Sequence, residues 1–225
     1  MNIINTARLL CVGLILSFSG INLHADDWAQ FGKYENQNAA VTTAPKAVFI
    51  GSSIIEGWME QHPEFFTDNN FLSRGISGQT TYQMLLRFRD DVINLKPEVV
   101  VIYGGTNDIA ENNHTYNEDR TIGNLMSMTE LARLHGIKVV LSSVLPAGSY
   151  YWKESIENVP MKIKSLNERI KTYAARNGIP YIDYYTGLAD ENGAMKTIYT
   201  EDGVHPNSAG YDIMQQSCAA EKSLR

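Results

Sequence analysis

The run Glu98-Val-Val-Val-Ile-Tyr103 is apolar at every interior position and mostly β-branched. Such a strand offers no face to water, so it has to lie in a sheet covered on both sides. That excludes a sheet with one solvated face. Segments 47–51 and 137–144 repeat the pattern, and 71–75 and 181–184 are shorter candidates. Helical periodicity fills the intervals. Met84, Leu85, Phe88 and Val92 mark a helix over 81–94. Ile122, Leu125, Met126, Leu131 and Leu134 mark another over 117–135, with Gly136 as its C-terminal cap. Further helices are predicted over 53–60, 159–176 and 206–220. Alternation of this kind predicts an α/β domain: a five-stranded parallel sheet with helices on both faces.

The 225 residues suit one such core, with 44% hydrophobic and 20% charged residues. A net charge of −6 and the absence of any Lys/Arg-rich run argue against nucleic acid or an anionic membrane surface as partner. Residues 1–25 differ from the rest. Arg8, the apolar run Leu9-Leu-Cys-Val-Gly-Leu-Ile-Leu16 and a small residue at Ala25 predict a signal peptide too short to span a bilayer. The expected mature chain starts near Asp26 and is exported, periplasmic or secreted. Cys218 is then its sole cysteine, so no internal disulfide forms and the thiol is read as packing. In 26–45, Trp28, Phe31 and Tyr34 predict a short helix on the domain surface, followed by a linker from Asn36 to Pro45.

Candidate chemistry gathers in the loops after the strands. Ser52 and Ser53 follow segment 47–51 where a helix begins. Either could be only an N-cap; equally, a serine at a strand's C-terminal end is where an open α/β sheet presents chemistry. Its hydroxyl would need a base. Four histidines remain after the leader. His135 precedes a capping glycine, and His62 lies in a polar connection without an acid three residues before it. His114 is a rival near the Asn107 turn. His205 stands three residues after Asp202, a spacing that lets the carboxylate orient the imidazole. Gly78 and Asn107, in the loops after the second and third strands, can present donors to an oxyanion beside the Ser53 N–H. A turn role for the Asn107 side chain is the alternative, and Asp108 is expected to brace the same turn. The sequence contains no H-E-x-x-H, paired C-x-x-C, G-x-S-x-G or phosphate-binding loop.

Ile50-Gly-Ser-Ser-Ile54, Gly75-Ile-Ser-Gly-Gln-Thr-Thr81, Gly105-Thr-Asn-Asp108 and Asp202-Gly-Val-His-Pro206 resemble, in order and spacing, the sequence blocks of the SGNH (GDSL-type) hydrolases. The resemblance covers nearly all of the chain from Ala47 onward. The whole is similar to exported GDSL-like acylhydrolases of gut Bacteroidetes, often associated with glycan deacetylation. It implies a flavodoxin-like three-layer α/β/α sandwich over 46–225, with Ser53 as nucleophile, His205 as base and Asp202 as its orienting acid. Ser53, Gly78 and Asn107 would form the oxyanion hole, with no metal or organic cofactor. The family's Gly-Asp-Ser reads Gly51-Ser52-Ser53 here, which should alter hydrogen bonding at the turn without removing a triad member.

The expected function is a serine esterase that takes short acyl groups, acetyl above all, from a carbohydrate. Tyr150, Tyr151 and Trp152 are candidates for an aromatic wall against a sugar ring, or else a cover packed on the core. Trp58 is a candidate pocket residue. Two alternatives stand beside this: a lipase or lysophospholipase on the same triad, and a glycan-binding module without catalysis.

Overall fold

The structure is a computed structural model that describes residues 27–224; the signal-peptide reading falls outside the described residues. Five strands form one sheet: β1 (Ala47–Gly51), β2 (Phe71–Gly75), β3 (Val99–Ile102), β4 (Lys138–Ser142) and β5 (Tyr181–Ile182). Their order is β2-β1-β3-β4-β5, and every pairing is parallel. The helices are α1 (Glu35–Ala39), α2 (Ser53–Gln61), α3 (Pro63–Thr67), α4 (Thr81–Asp91), α5 (Thr106–Ile109), α6 (Glu118–Leu134), α7 (Val159–Arg176), α8 (Tyr185–Leu188) and α9 (Ser208–Ala220).

Side chains alternate across each strand, and the two faces feed two cores. Val48, Ile50, Val100, Ile102, Val139 and Leu141 pack against α4, α6 and α7. Phe49, Val99, Val101 and Val140 pack against α2, α3 and α9. This is the three-layer sandwich. Burying both faces explains the unbroken apolar run at 99–102, all of it inaccessible to solvent.

Two local expectations change. Trp28 and Phe31 are each 44% exposed, and only Tyr34 is buried, so no single amphipathic helix spans them. Instead a 3₁₀ turn at Phe31–Lys33 precedes α1, which begins at Glu35 and runs into the predicted linker. A five-residue helix has little stability alone. Tertiary bonds hold this one: Asn38 Nδ2 donates to Asp91 Oδ1 at 2.7 Å, and Arg74 Nε donates to Asn38 Oδ1 at 2.9 Å. The helix predicted over 81–94 ends at Asp91 and continues as a 3₁₀ turn, Ile93–Leu95. Among the described residues no helix is long and apolar enough to cross a membrane.

Candidate active site

β1 lies between β2 and β3; the connection after β1 runs to β2 on one side, and the connection after β3 runs to β4 on the other. The loops at the C-terminal ends of these three strands therefore adjoin at the switch point of the sheet, the place where open α/β folds bind ligands. Ser53 follows β1, Gly78 follows β2 and Asn107 follows β3. Asp202 and His205 follow β5, at the sheet's far edge, and need another means to return. α9 supplies it by packing beside α2. Tyr211 stacks on Trp58 with ring centroids 5.8 Å apart, and its hydroxyl donates to the Ile54 carbonyl at 2.9 Å. The start of α9, with His205 just before it, is thereby drawn to the start of α2.

Ser53 Oγ lies 2.9 Å from His205 Nε2, and His205 Nδ1 lies 2.7 Å from Asp202 Oδ2. A carboxylate only accepts, so Nδ1 carries the proton and Nε2 turns its lone pair to the serine hydroxyl. Asp202 Oδ1 also accepts the N–H groups of Val204 (2.9 Å) and His205 (2.8 Å). Gly203 turns between them at φ 82°, a conformation that suits glycine. Partial burial opposes ionisation of Asp202, but the bonds from the His205 ring and these N–H groups outweigh it and hold its carboxyl below the ordinary range. Ser52 occupies the N-cap position of α2 without a side-chain capping bond. Capping therefore does not account for the serine pair.

The opposite side of the site is cross-linked, with Asn107 and Gln79 buried beneath the exposed Gly78 and Asn112. Asn107 is 4% exposed; its Nδ2 donates to the Gln79 carbonyl at 3.0 Å and its Oδ1 accepts from Asn112 Nδ2 at 3.0 Å. Its side chain thus reaches across to the Gly78 loop rather than serving its own turn. Asn112 Nδ2 also donates to the Gly78 carbonyl (3.2 Å), and Asn112 Oδ1 accepts from Trp152 Nε1 (2.8 Å). Because indole N–H only donates and carbonyls only accept, the orientation of both amides is fixed. One N–H of Asn107 is committed to Gln79, which leaves the second to a ligand. Among the described residues, the backbone N–H groups of Ser53 and Gly78 donate to no protein acceptor.

Gly105 makes the Asn107 turn possible. Its φ is 130°, and a Cβ there would come within 2.7 Å of Leu166 and 2.9 Å of Val144. Asp108 braces this turn against α4, accepting from Thr81 N–H (3.0 Å) and Oγ1 (2.6 Å). Burial pushes its carboxyl up, against those bonds. Arg87, inaccessible to solvent, ties the loops together: Nε donates to Gln79 Oε1 at 2.6 Å and Nη2 to the Gly51 carbonyl at 2.9 Å. Arg87 and Asn112 lie outside the motif blocks, and Gln79, though inside one, bonds Ala29 and Arg87, partners that no motif spacing announces. The Asn112-Asn113 pair stands out in sequence only as a neighbour of His114.

Of the four aromatic candidates, the structure brings only Trp152 and Tyr151 to the site's rim. Trp152 has its ring centroid 6.2 Å from that of His205, and Tyr151 beside it is 58% exposed. Tyr150 is fully buried in the core, which corrects its place in a substrate wall. Trp58 is likewise fully buried, stacked on Phe65 at 4.7 Å, and packs in the core and not in a substrate pocket's wall. Ile54, Ile55 and Trp58 form the inward face of α2, and hydrophobic burial decides their direction. That i, i+1, i+4 spacing was readable in the sequence.

The rival bases are engaged elsewhere. His114 Nδ1 is 2.6 Å from Asn113 Oδ1, and its ring packs on Tyr82 at 4.1 Å. His62 bonds Glu64 and Ser208, and His135 bonds the Leu131 carbonyl. Cys218 is buried, 3.0 Å from the Tyr184 hydroxyl, and burial pushes its thiol up to about 12, which suits packing and not nucleophilic attack. Among the described residues, no group of three or more His, Cys, Asp or Glu is placed to hold a metal ion.

Residues 49–213 match the sequence model of the GDSL-like lipase/acylhydrolase family. The chain belongs to that family. A candidate acylhydrolase from Bacteroides fragilis is 51% identical, with a TM-score of 0.86 over 89% of this chain and all of that one. The human platelet-activating factor acetylhydrolase IB subunit alpha2 is 26% identical over 174 residues, 74% of this chain and 71% of its own. An acetyl xylan esterase shares the fold, with a TM-score of 0.61 at 22% identity over 78% of this chain and 99% of its own. This GDSL-like acylhydrolase is accordingly an ester-cleaving hydrolase with the α/β architecture of its structural relatives.

Proposed function

We propose that the protein is a serine esterase that removes short acyl groups, acetyl foremost, from a carbohydrate. The hydrogen-bonded line Ser53–His205–Asp202 carries this reading. In the proposed reaction His205 Nε2 takes the Ser53 proton as Oγ attacks the ester carbonyl carbon. The carbonyl oxygen becomes an oxyanion and accepts from the N–H groups of Ser53 and Gly78 and from Asn107 Nδ2. Collapse expels the sugar alkoxide, which receives the proton from His205. Water, deprotonated by the same nitrogen, then releases the acid and restores Ser53. Asp202 holds the tautomer throughout.

Acetyl preference is supported by the name of the human acetylhydrolase and the shared fold of the acetyl xylan esterase. A carbohydrate leaving group is supported by Trp152 beside His205 and the exposed Tyr151 next to it. Export is proposed from the N-terminal pattern alone; mass spectrometry of the mature protein should find a start near Asp26, and retained Met1 would refute it.

The test is hydrolysis of p-nitrophenyl acetate, butyrate and octanoate and of acetylated xylo-oligosaccharides by the wild type and Tyr151→Ala. Rates should fall with acyl length, and Tyr151→Ala should raise KM for the acetylated sugar only, by about threefold to tenfold if one stacking contact is lost. Rising activity towards octanoate would make the enzyme a lipase. Sugar binding with no turnover on any ester would make it a binding module.

A further inference from the structure

Residues 27–39 lie before the family match, which begins at residue 49, yet their bonds converge on the loop that carries Gly78. The Gln79 side chain donates to the Ala29 carbonyl at 2.7 Å, and Gln83 Nε2 donates to the Trp28 carbonyl at 2.6 Å. The Tyr34 hydroxyl donates to the Gly75 carbonyl, and the Arg74 guanidinium lies 4.7 Å over the Tyr34 ring. Lys33 pairs with Glu56, whose other carboxylate oxygen accepts both the N–H (2.7 Å) and the hydroxyl of Ser77. Positions 74, 75, 77, 79 and 83 are thus each tied, directly or through Glu56, to the N-terminal segment.

These anchors surround a consequential piece of backbone. Gly78 lies between Ser77 and Gln79, and the Gln79 carbonyl fixes the Asn107 amide. Two of the three proposed oxyanion donors therefore rest on residues 77–79. Gln79 is 2% exposed, and its side chain is held at both ends, by Ala29 through Nε2 and by Arg87 through Oε1. Loop 76–80 has no ladder of its own. Outside bonds must set its position, and oxyanion donors are useful only when held to within a fraction of an ångström of where charge develops.

We infer that residues 27–39 form a clasp that positions the oxyanion loop, with Lys33 and Tyr34 as positioning residues acting through Glu56–Ser77 and Gly75. The inference rests on the reading of Gly78 and Asn107 as oxyanion donors. The clasp stabilises the transition state more than it stabilises bound ester, because the ground-state carbonyl carries little charge. Its loss therefore falls on kcat and leaves KM nearly unchanged.

The experiment compares the full-length wild type with Lys33→Met, Tyr34→Phe, the double variant, Lys33→Arg and Asn107→Ala. Steady-state kinetics use p-nitrophenyl acetate, active sites are counted with an organophosphorus titrant, and thermal unfolding is followed in parallel. Per titrated site, the double variant should lose about fivefold to twentyfold in kcat, with KM within about twofold. Lys33→Arg, which keeps the pair with Glu56, should retain most of the wild-type rate. Asn107→Ala should lose about 10²–10³-fold. An unchanged kcat per site in the double variant, whether or not its melting temperature falls, would overturn the clasp while Asn107→Ala stays impaired. A full-rate Asn107→Ala enzyme would overturn the oxyanion reading and the clasp with it.

Discussion

The two sides of the proposed active site are built in opposite ways. The Asp202–His205 side is a short hairpin of sequence: donors and acceptors three residues apart, with both side chains about a third exposed. On the Gly78–Asn107 side Gly78 and Asn112 are exposed, but the groups that fix the donors, Asn107, Gln79 and Arg87, are buried, and their bonds reach up to 50 residues along the chain, as from Gln79 to Ala29. A proton shuttle needs one correct hydrogen bond and a ring free to carry its proton from serine to leaving group. An electrostatic cradle needs several donors fixed before charge arrives, and only a buried, cross-linked surround fixes them without reorganisation.

The largest effects should come from the Asp202–His205 side. Ser53→Ala and His205→Ala should each lower kcat on p-nitrophenyl acetate by about 10⁴-fold or more, with folding unchanged by circular dichroism. The double variant should be no slower than either single one, since the two groups act as a unit; additive losses would break that unity.

On the Gly78–Asn107 side, Asn112→Ala removes the donor to Asn107 Oδ1 and the bond to Trp152 while leaving every proposed catalytic side chain in the protein. The Asn107 amide then keeps only its bond to the Gln79 carbonyl, and kcat should fall about tenfold at near-constant KM. A full-rate variant would mean that Gln79 alone holds Asn107, and the contrast between the two sides would weaken.

The smallest effect concerns stability. Asp202 has its carboxyl lowered in the folded protein, so its contribution is present above the ordinary aspartate value of about 3.9 and is lost as pH falls through the lowered one. Urea unfolding should therefore show the wild type slightly more stable than Asp202→Asn at pH 7, with the gap closing at pH 3. Solvent screening at this part-exposed site keeps the gap small. A gap that widens on acidification would reverse the assigned direction.

The same contrast governs what could be read from sequence. Asp202–His205 is local in the chain, so spacing carries it. Strands β1, β3 and β4 were legible because burial on both faces forces unbroken apolar runs, whereas the edge strand β2 carries Ser73 and Arg74 and gives a weaker signal. β5 shrank to two residues because past it the N–H groups of Tyr184 and Tyr185 donate to the Ser143 hydroxyl and not to a backbone carbonyl of the neighbouring strand. Trp58 and Tyr150 were both misplaced. An aromatic near a motif can face the substrate or the core; for Trp58 its helical spacing from Ile54 and Ile55 already pointed inward, whereas for Tyr150 only the packing of the 150–152 loop decides. Residues 36–45 look like a linker because polar composition says nothing about the partners that Asn38 finds on Arg74 and Asp91.

By itself the sequence determined a parallel α/β sheet, a serine at the end of its first strand and an Asp–His pair within one turn of each other. Periodicity and short spacing encode these, and both act between neighbours along the chain. Only the tertiary structure decided that α9 brings His205 to Ser53, that Asn112 and Gln79 fix the Asn107 amide, and that the N-terminal segment holds the Gly78 loop. Those contacts join residues far apart in sequence, and their geometry exists only once both cores are packed.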